Sequence, residues 1–120
     1  MQLTDGVTSV TVNVTAMQIR ETRRKEMVTA PGGVEPIYID MGREPIRVDF
    51  EAIANAEDGK QLVSWCKQGT LLQVNNPPPM FPSEISYWVL ESANSEGLKG
   101  NPSKVKVRCI LIEKTEYTYL

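Results

Sequence analysis

With 120 residues, of which 41% are apolar and 23% charged, the chain has the size and composition of one globular domain with a single core. That balance excludes a disordered polymer. Thirteen basic residues against fifteen acidic ones leave a net charge of −2, so a nucleic-acid or membrane role requires a local basic patch rather than a global pull.

No run approaches the ~18 apolar residues of a membrane span, and no membrane insertion is expected. The opening MQLTDGVTSV has neither the basic start nor the apolar core of a signal peptide, so synthesis and folding in the cytoplasm are expected. Cys66 and Cys109 are too few and too distant for a disulfide framework. They read as two reduced, buried thiols, with a single bridge as the alternative.

The first predicted element is a strand from Val7 to Met17. Val10, Val12, Val14 and Ala16 share one face, and Ser9, Thr11, Asn13 and Thr15 share the other. The apolar phase then moves to Met17 and Ile19, which predicts a bulge or bend near Ala16. Arg20–Glu26, RETRRKE, is a basic-biased charge run, and Met27–Pro36 carries a Pro-Gly-Gly turn signal. Residues 20–36 are therefore expected as a long exposed loop or a projecting hairpin, either a solvated connection or an arm that orders on a neighbouring subunit.

Ile37–Met41 is a short strand, with a hairpin through Met41-Gly42-Arg43-Glu44 expected to lead into the next one. In that next strand Ile46, Val48, Phe50, Ala52 and Ala54 face one way, and Arg47, Asp49 and Glu51 face solvent. Asn55 is placed to cap a helix whose first turn carries Glu57 and Asp58, and Gly69 is placed to end it. Leu62, Val63 and Cys66 cluster on one side of that helix, with Trp65 beside them as a core or edge anchor. Thr70–Val74 is a short strand. Asn75–Pro82, NNPPPMFP, is a rigid connection, because its prolines remove donors and fix an extended path.

Ile85–Glu91, ISYWVLE, is apolar on both parities and is expected as a central strand. Ser92–Ser103 reads as a polar Gly/Asn/Pro loop. In the last strand, Lys104–Glu113, Val105, Val107, Cys109 and Leu111 face inward. Lys104, Lys106 and Arg108 face out, as on a protected sheet edge. The final KTEYTYL keeps the alternation through Tyr117 and Tyr119, and an extended segment of that kind is suited to join another sheet.

Chemistry is absent from this pattern. With no histidine, neither a Ser-His-Asp nor a Cys-His pair can be built, and ordinary zinc sites fall with them. Gly32-Gly33 stands alone without a following helix, so no phosphate loop is present. The acids are scattered rather than spaced for calcium. No catalytic residue, metal ligand or cofactor is expected, and the chain reads as a non-enzyme.

The order of elements predicts a mainly β fold, an antiparallel β-sandwich or small β-barrel with one packed helix at about residues 56–68. It predicts one domain over 1–120, with an extended loop at about 20–36 and an extended tail at about 114–120. Two stretches carry a resemblance: GREPIRVDFEAIANAEDGKQLVSWCKQGTLLQV, starting at Gly42, and WVLESANSEGLKGNPSKVKVRCILIEK, starting at Trp88. Together they resemble the β-domain of tail-tube, distal-tail and baseplate-hub proteins of bacteriophages and contractile injection machines. The likeness covers a little over half of the chain and is one of supersecondary pattern. It implies a structural virion component, made in the host cytoplasm and assembled with copies of itself or other tail and baseplate proteins through strand and loop contacts.

The interface residues expected under that reading are Arg20, Arg23, Arg24, Lys25, Lys104, Lys106, Arg108, Tyr117 and Tyr119, with acids between Glu51 and Asp58 as their counterparts. The alternative is a single-stranded nucleic-acid-binding module of the oligonucleotide-binding barrel type. There the same basic residues would meet phosphates, and Tyr87, Trp88, Tyr117 or Tyr119 would stack bases.

Overall fold

The computed structural model describes residues 1–21, 23–29, 36–43 and 45–114, with backbone only for 23–29 and 36–43. The strands are β1 (Gln2–Thr4), β2 (Ser9–Thr11), β3 (Asn13–Arg20), β4 (Arg23–Thr29), β5 (Pro36–Arg43), β6 (Arg47–Asn55), β7 (Gln73–Asn75), β8 (Trp88–Leu98) and β9 (Asn101–Glu113); the helix α1 is Ala56–Gln68. A three-stranded sheet has the order β2-β1-β7, a four-stranded sheet the order β3-β6-β9-β8, and among the described residues β4 and β5 pair only with each other. The body is a sandwich with one helix and not a closed barrel. Its two sheets touch at one corner, where Leu72 and Trp88 exchange backbone hydrogen bonds of 2.8 Å.

The alternation in β6 decides which side is core. Ile46, Val48, Phe50, Ala52 and Ala54 are all buried, as their parity predicts. The predicted bulge is present, since the β3–β6 register shifts between Val14 and Ala16. One extra residue there reverses side-chain parity. Val14 faces the core before it, and Met17 and Ile19 pack against the core after it. The single strand expected over Val7–Met17 is instead divided between the two sheets, and a β1–β2 hairpin precedes the crossing.

Helix α1 has the predicted bounds. Asn55 is extended but makes no side-chain cap bond, and Gly69 closes the helix at φ 64°, donating its N–H to the Trp65 carbonyl. Its buried face is Gly59, Leu62 and Trp65, with Cys66 half-buried. At Gly59 the helix comes so close to β8 and β9 that an added Cβ would lie 2.8 Å from Val105 Cγ2 and 2.9 Å from Ser95 Oγ.

Four expectations are corrected. The Met41–Glu44 hairpin does not form, because β5 pairs with β4 while β6 pairs with β3 and β9. Ser92–Ser103 is no loop, since β8 and β9 continue as a ladder to Leu98↔Asn101, turning at Gly100 with φ 80°. Its polarity reflects a ribbon reaching beyond the core, where pairing rather than burial imposes the extended form. β9 is central, between β6 and β8. β8 is the edge, although Trp88, Val89 and Leu90 are all buried.

Candidate assembly interface

The strands place the predicted interface residues in three separate locations. Arg20 ends β3, exposed and directly opposite Arg47. Arg23, Arg24 and Lys25 lie in β4, whose register on β5 pairs Arg23 with Arg43 and Lys25 with Asp40. Lys104, Lys106 and Arg108 lie on β9 opposite Asn55, Ile53 and Glu51. Tyr117 and Tyr119 lie outside the described residues.

The register keeps these groups apart. Arg20 sits at the Arg47 end of β6 and Lys104 at the Asn55 end, a separation of roughly 27 Å at ~3.4 Å per residue. They do not form one basic patch. Glu51 also answers part of the β9 charge within the same chain. Its carboxylate pairs with Arg108 and, at 3.7 Å, with Lys106. The acidic stretch Glu51–Asp58 therefore begins with a residue already engaged by two of the cations it was expected to meet on a neighbour.

The root of the β4–β5 arm is firmly held. Glu113 is buried, and its Oε1 accepts the Ile46 N–H at 3.1 Å while its own N–H bonds the Ile46 carbonyl at 2.9 Å. The neighbouring Arg47 pairs with Glu91, which occupies the register shift of β8 between Leu90 and Ser92. Sequence reading missed Glu113, because an acid at an inward-facing strand end is not distinguishable from a solvated one without its partner.

On the outward face of the four-stranded sheet a shallow groove of about 440 Å³ is lined by Gln18, Asp49, Glu51, Asn94, Arg108 and Ile110 among others. It offers carboxylates, amides, the Ser92 hydroxyl and one guanidinium. Among the described residues no group of three or more His, Cys, Asp or Glu is placed to hold a metal ion. No described helix is long and apolar enough to cross a membrane. Cys66 and Cys109 are both free thiols, and burial, with Cys66 nearby, pushes the Cys109 thiol up to about 12.

No protein-family model matches this sequence, and no curated protein matches it. Among solved structures the chain is similar to one from the tail of an empty GTA (phage-like gene transfer agent) particle, obtained by helical refinement with C6 symmetry. The TM-score is 0.50 at 11% identity, over 91% of this chain and 83% of that one. At that identity the likeness shows a common fold and nothing further.

Proposed function

We propose that this chain is a non-enzymatic structural subunit of a phage-like tail or baseplate, a single domain that joins neighbouring subunits through strand, loop and tail contacts. The observation that carries the reading is the β4–β5 arm. It is inserted between two strands that are already adjacent in the sheet, and among the described residues it pairs with nothing but itself. A two-stranded ribbon has little independent stability in water, so its ordering calls for a partner surface. The fold held in common with a GTA tail chain supports the same role.

In this reading Arg20 and the Arg23–Lys25 run are the basic contacts of the arm and its root. Lys104 serves at the far end of β9, where Glu51 does not reach. Partners are copies of the chain or other tail proteins, and the working location is the virion. The nucleic-acid alternative gains no support, because the body is open rather than a barrel and Lys106 and Arg108 are drawn to Glu51 rather than left as a phosphate track. The test is the size of the purified chain by light scattering and sedimentation, followed by particle imaging. Rings or tubes that weaken when Arg23, Arg24 and Lys25 are neutralised support the reading. A strict monomer at millimolar concentration that recruits no tail protein overturns it.

A further inference from the structure

We propose that the patch formed by Leu71, Tyr87 and Val7, at the β7 side of the three-stranded sheet, is the docking site for the 115–120 segment of a second copy of this chain. The inference rests on the structural-subunit reading and names one of its contacts.

Val7, Leu71, Met80 and Tyr87, at 94%, 47%, 55% and 46% exposure, are the large apolar side chains left in solvent among the described residues. Register brings three of them into neighbouring segments. The β1–β7 ladder ends at Thr4↔Gln73, so Leu71 lies beside the β1–β2 turn that carries Val7. Antiparallel pairing of Leu72 with Trp88, both fully buried, sets Leu71 and Tyr87 on the opposite, outward side.

The sheet positions beside the patch are uncharged. The charges that border it are Asp5 in the β1–β2 turn, whose carboxylate accepts the Val7, Thr8 and Trp65 N–H groups, with Glu84 and Lys114 flanking Tyr87. Outward positions of this sheet include Gln2, Thr4, Gln73 and Asn75, whereas the other sheet exposes the charges of Asp49, Glu51, Lys106 and Arg108. A charge-depleted surface containing tyrosine and leucine has the composition of an interface core.

The 115–120 segment, TEYTYL, has matching chemistry, with Tyr117 and Tyr119 on one parity and a single charge at Glu116. Strand direction then selects its source. β9 and β7 are each antiparallel to the chain at Trp88, so they run the same way. Lys114 donates its N–H to the Tyr87 carbonyl at 3.0 Å. At that level the chain is heading along β7 toward Asn75, away from Leu71 and Val7. Reaching its own patch would require a reversal, and TEYTYL contains no glycine, proline or asparagine to make one. Six residues span at most about 20 Å, enough to cross onto a neighbour. Donor segment and acceptor patch are different surfaces, so the contact is head-to-tail and propagates into a ring or a tube.

The test uses a chain ending at Lys114 and a synthetic peptide of residues 114–120, followed by amide chemical shifts. The expected result is saturable shifts centred on Val7, Leu71, Gln73 and Tyr87, with binding at least tenfold weaker to the L71D chain. Leu71 is half exposed, so that variant should fold, and the milder Y87A variant should weaken binding as well. Shifts centred elsewhere, or none at millimolar peptide, overturn the proposal. So does a dilute, monomeric full chain whose patch amides already match the peptide-bound state, because the occupant is then its own segment. A strictly monomeric full chain that recruits no tail protein overturns the structural-subunit reading, while the peptide titration still decides this one.

Discussion

Arg20 and Arg47 stand opposite each other as the last rung of the β3–β6 ladder, so two strands that a short turn would join are separated by the whole β4–β5 arm. Connections between adjacent antiparallel strands usually take 2–5 residues. The arm is therefore an insertion into a hairpin. Two guanidiniums across one rung repel, and Glu91 relieves this by pairing with Arg47.

Replacing residues 22–44 by Asn-Gly should leave the body folded while abolishing assembly. Shortening the connection removes about 1 kcal/mol of closure cost, and the root contacts of Ile46 with Glu113 remain. Urea unfolding checks the first half and sedimentation velocity the second. If the shortened chain unfolds, the arm belongs to the core. If it assembles like its parent, the arm is not the joint.

Asp5 ties the β1–β2 turn to the helix. Its Oδ1 accepts the N–H groups of Thr8 and Val7 at 2.7 and 2.8 Å, and its Oδ2 accepts the Trp65 indole N–H at 3.3 Å. These bonds, Thr8 first and then Val7, hold the carboxyl below its ordinary value of 3.8. Since the folded value is the lower one, the stabilisation is complete above 3.8 and disappears as pH falls through the folded value. D5N should therefore lower the thermal midpoint at pH 7 and flatten the acid limb of the stability profile. Equal midpoint losses at pH 7 and pH 2 would remove the carboxylate from this account.

Gly59 is a packing requirement rather than a turn. In a helix interior Gly→Ala ordinarily gains about 1 kcal/mol. Here the new methyl meets Val105 at 2.8 Å and Ser95 at 2.9 Å, and overpacking typically costs about 1–3 kcal/mol. Because valine is stiff at χ1, the clash should win, with G59A destabilised by up to about 2 kcal/mol net. V105A should recover part of that loss in a double-mutant cycle. A G59A chain more stable than its parent would show that helix and ribbon separate easily.

How far the sequence could be read follows from the range of each interaction. β6 and α1 were legible because alternation in Ile46–Ala54 and the Asn55 and Gly69 boundaries are local signals. The bulge was legible as a parity change between Val14 and Met17. β1 was not, since three residues carry no period, and the β8–β9 ribbon was hidden by its turn-like composition. The basic clusters of the interface were visible as composition. Their division into an arm root and a β9 stripe engaged by Glu51 was not, because that depends on which residues face each other across strands. The Leu71–Tyr87 patch required register for the same reason.

Cys109 supplies an alkaline test of the core. Its thiol is raised from 9.0 to about 12, first by burial and second by Cys66. The unfolded chain loses this proton above pH 9 and the folded chain retains it to about 12, so unfolding releases a proton across that window. Stability should fall by about 1.4 kcal/mol per pH unit there on account of this group alone. C109A removes that slope. It also opens a small cavity, so at neutral pH it should be less stable than the parent by about 1 kcal/mol, and the two profiles should converge or cross as pH rises through 10. The same burial predicts that iodoacetamide at pH 8 leaves Cys109 unmodified in the native chain and labels it only in urea, as mass spectrometry of the peptides would report. Native labelling at a rate near that of the unfolded chain would mean that β9 opens locally, and the proposed alkaline limb would fall with it.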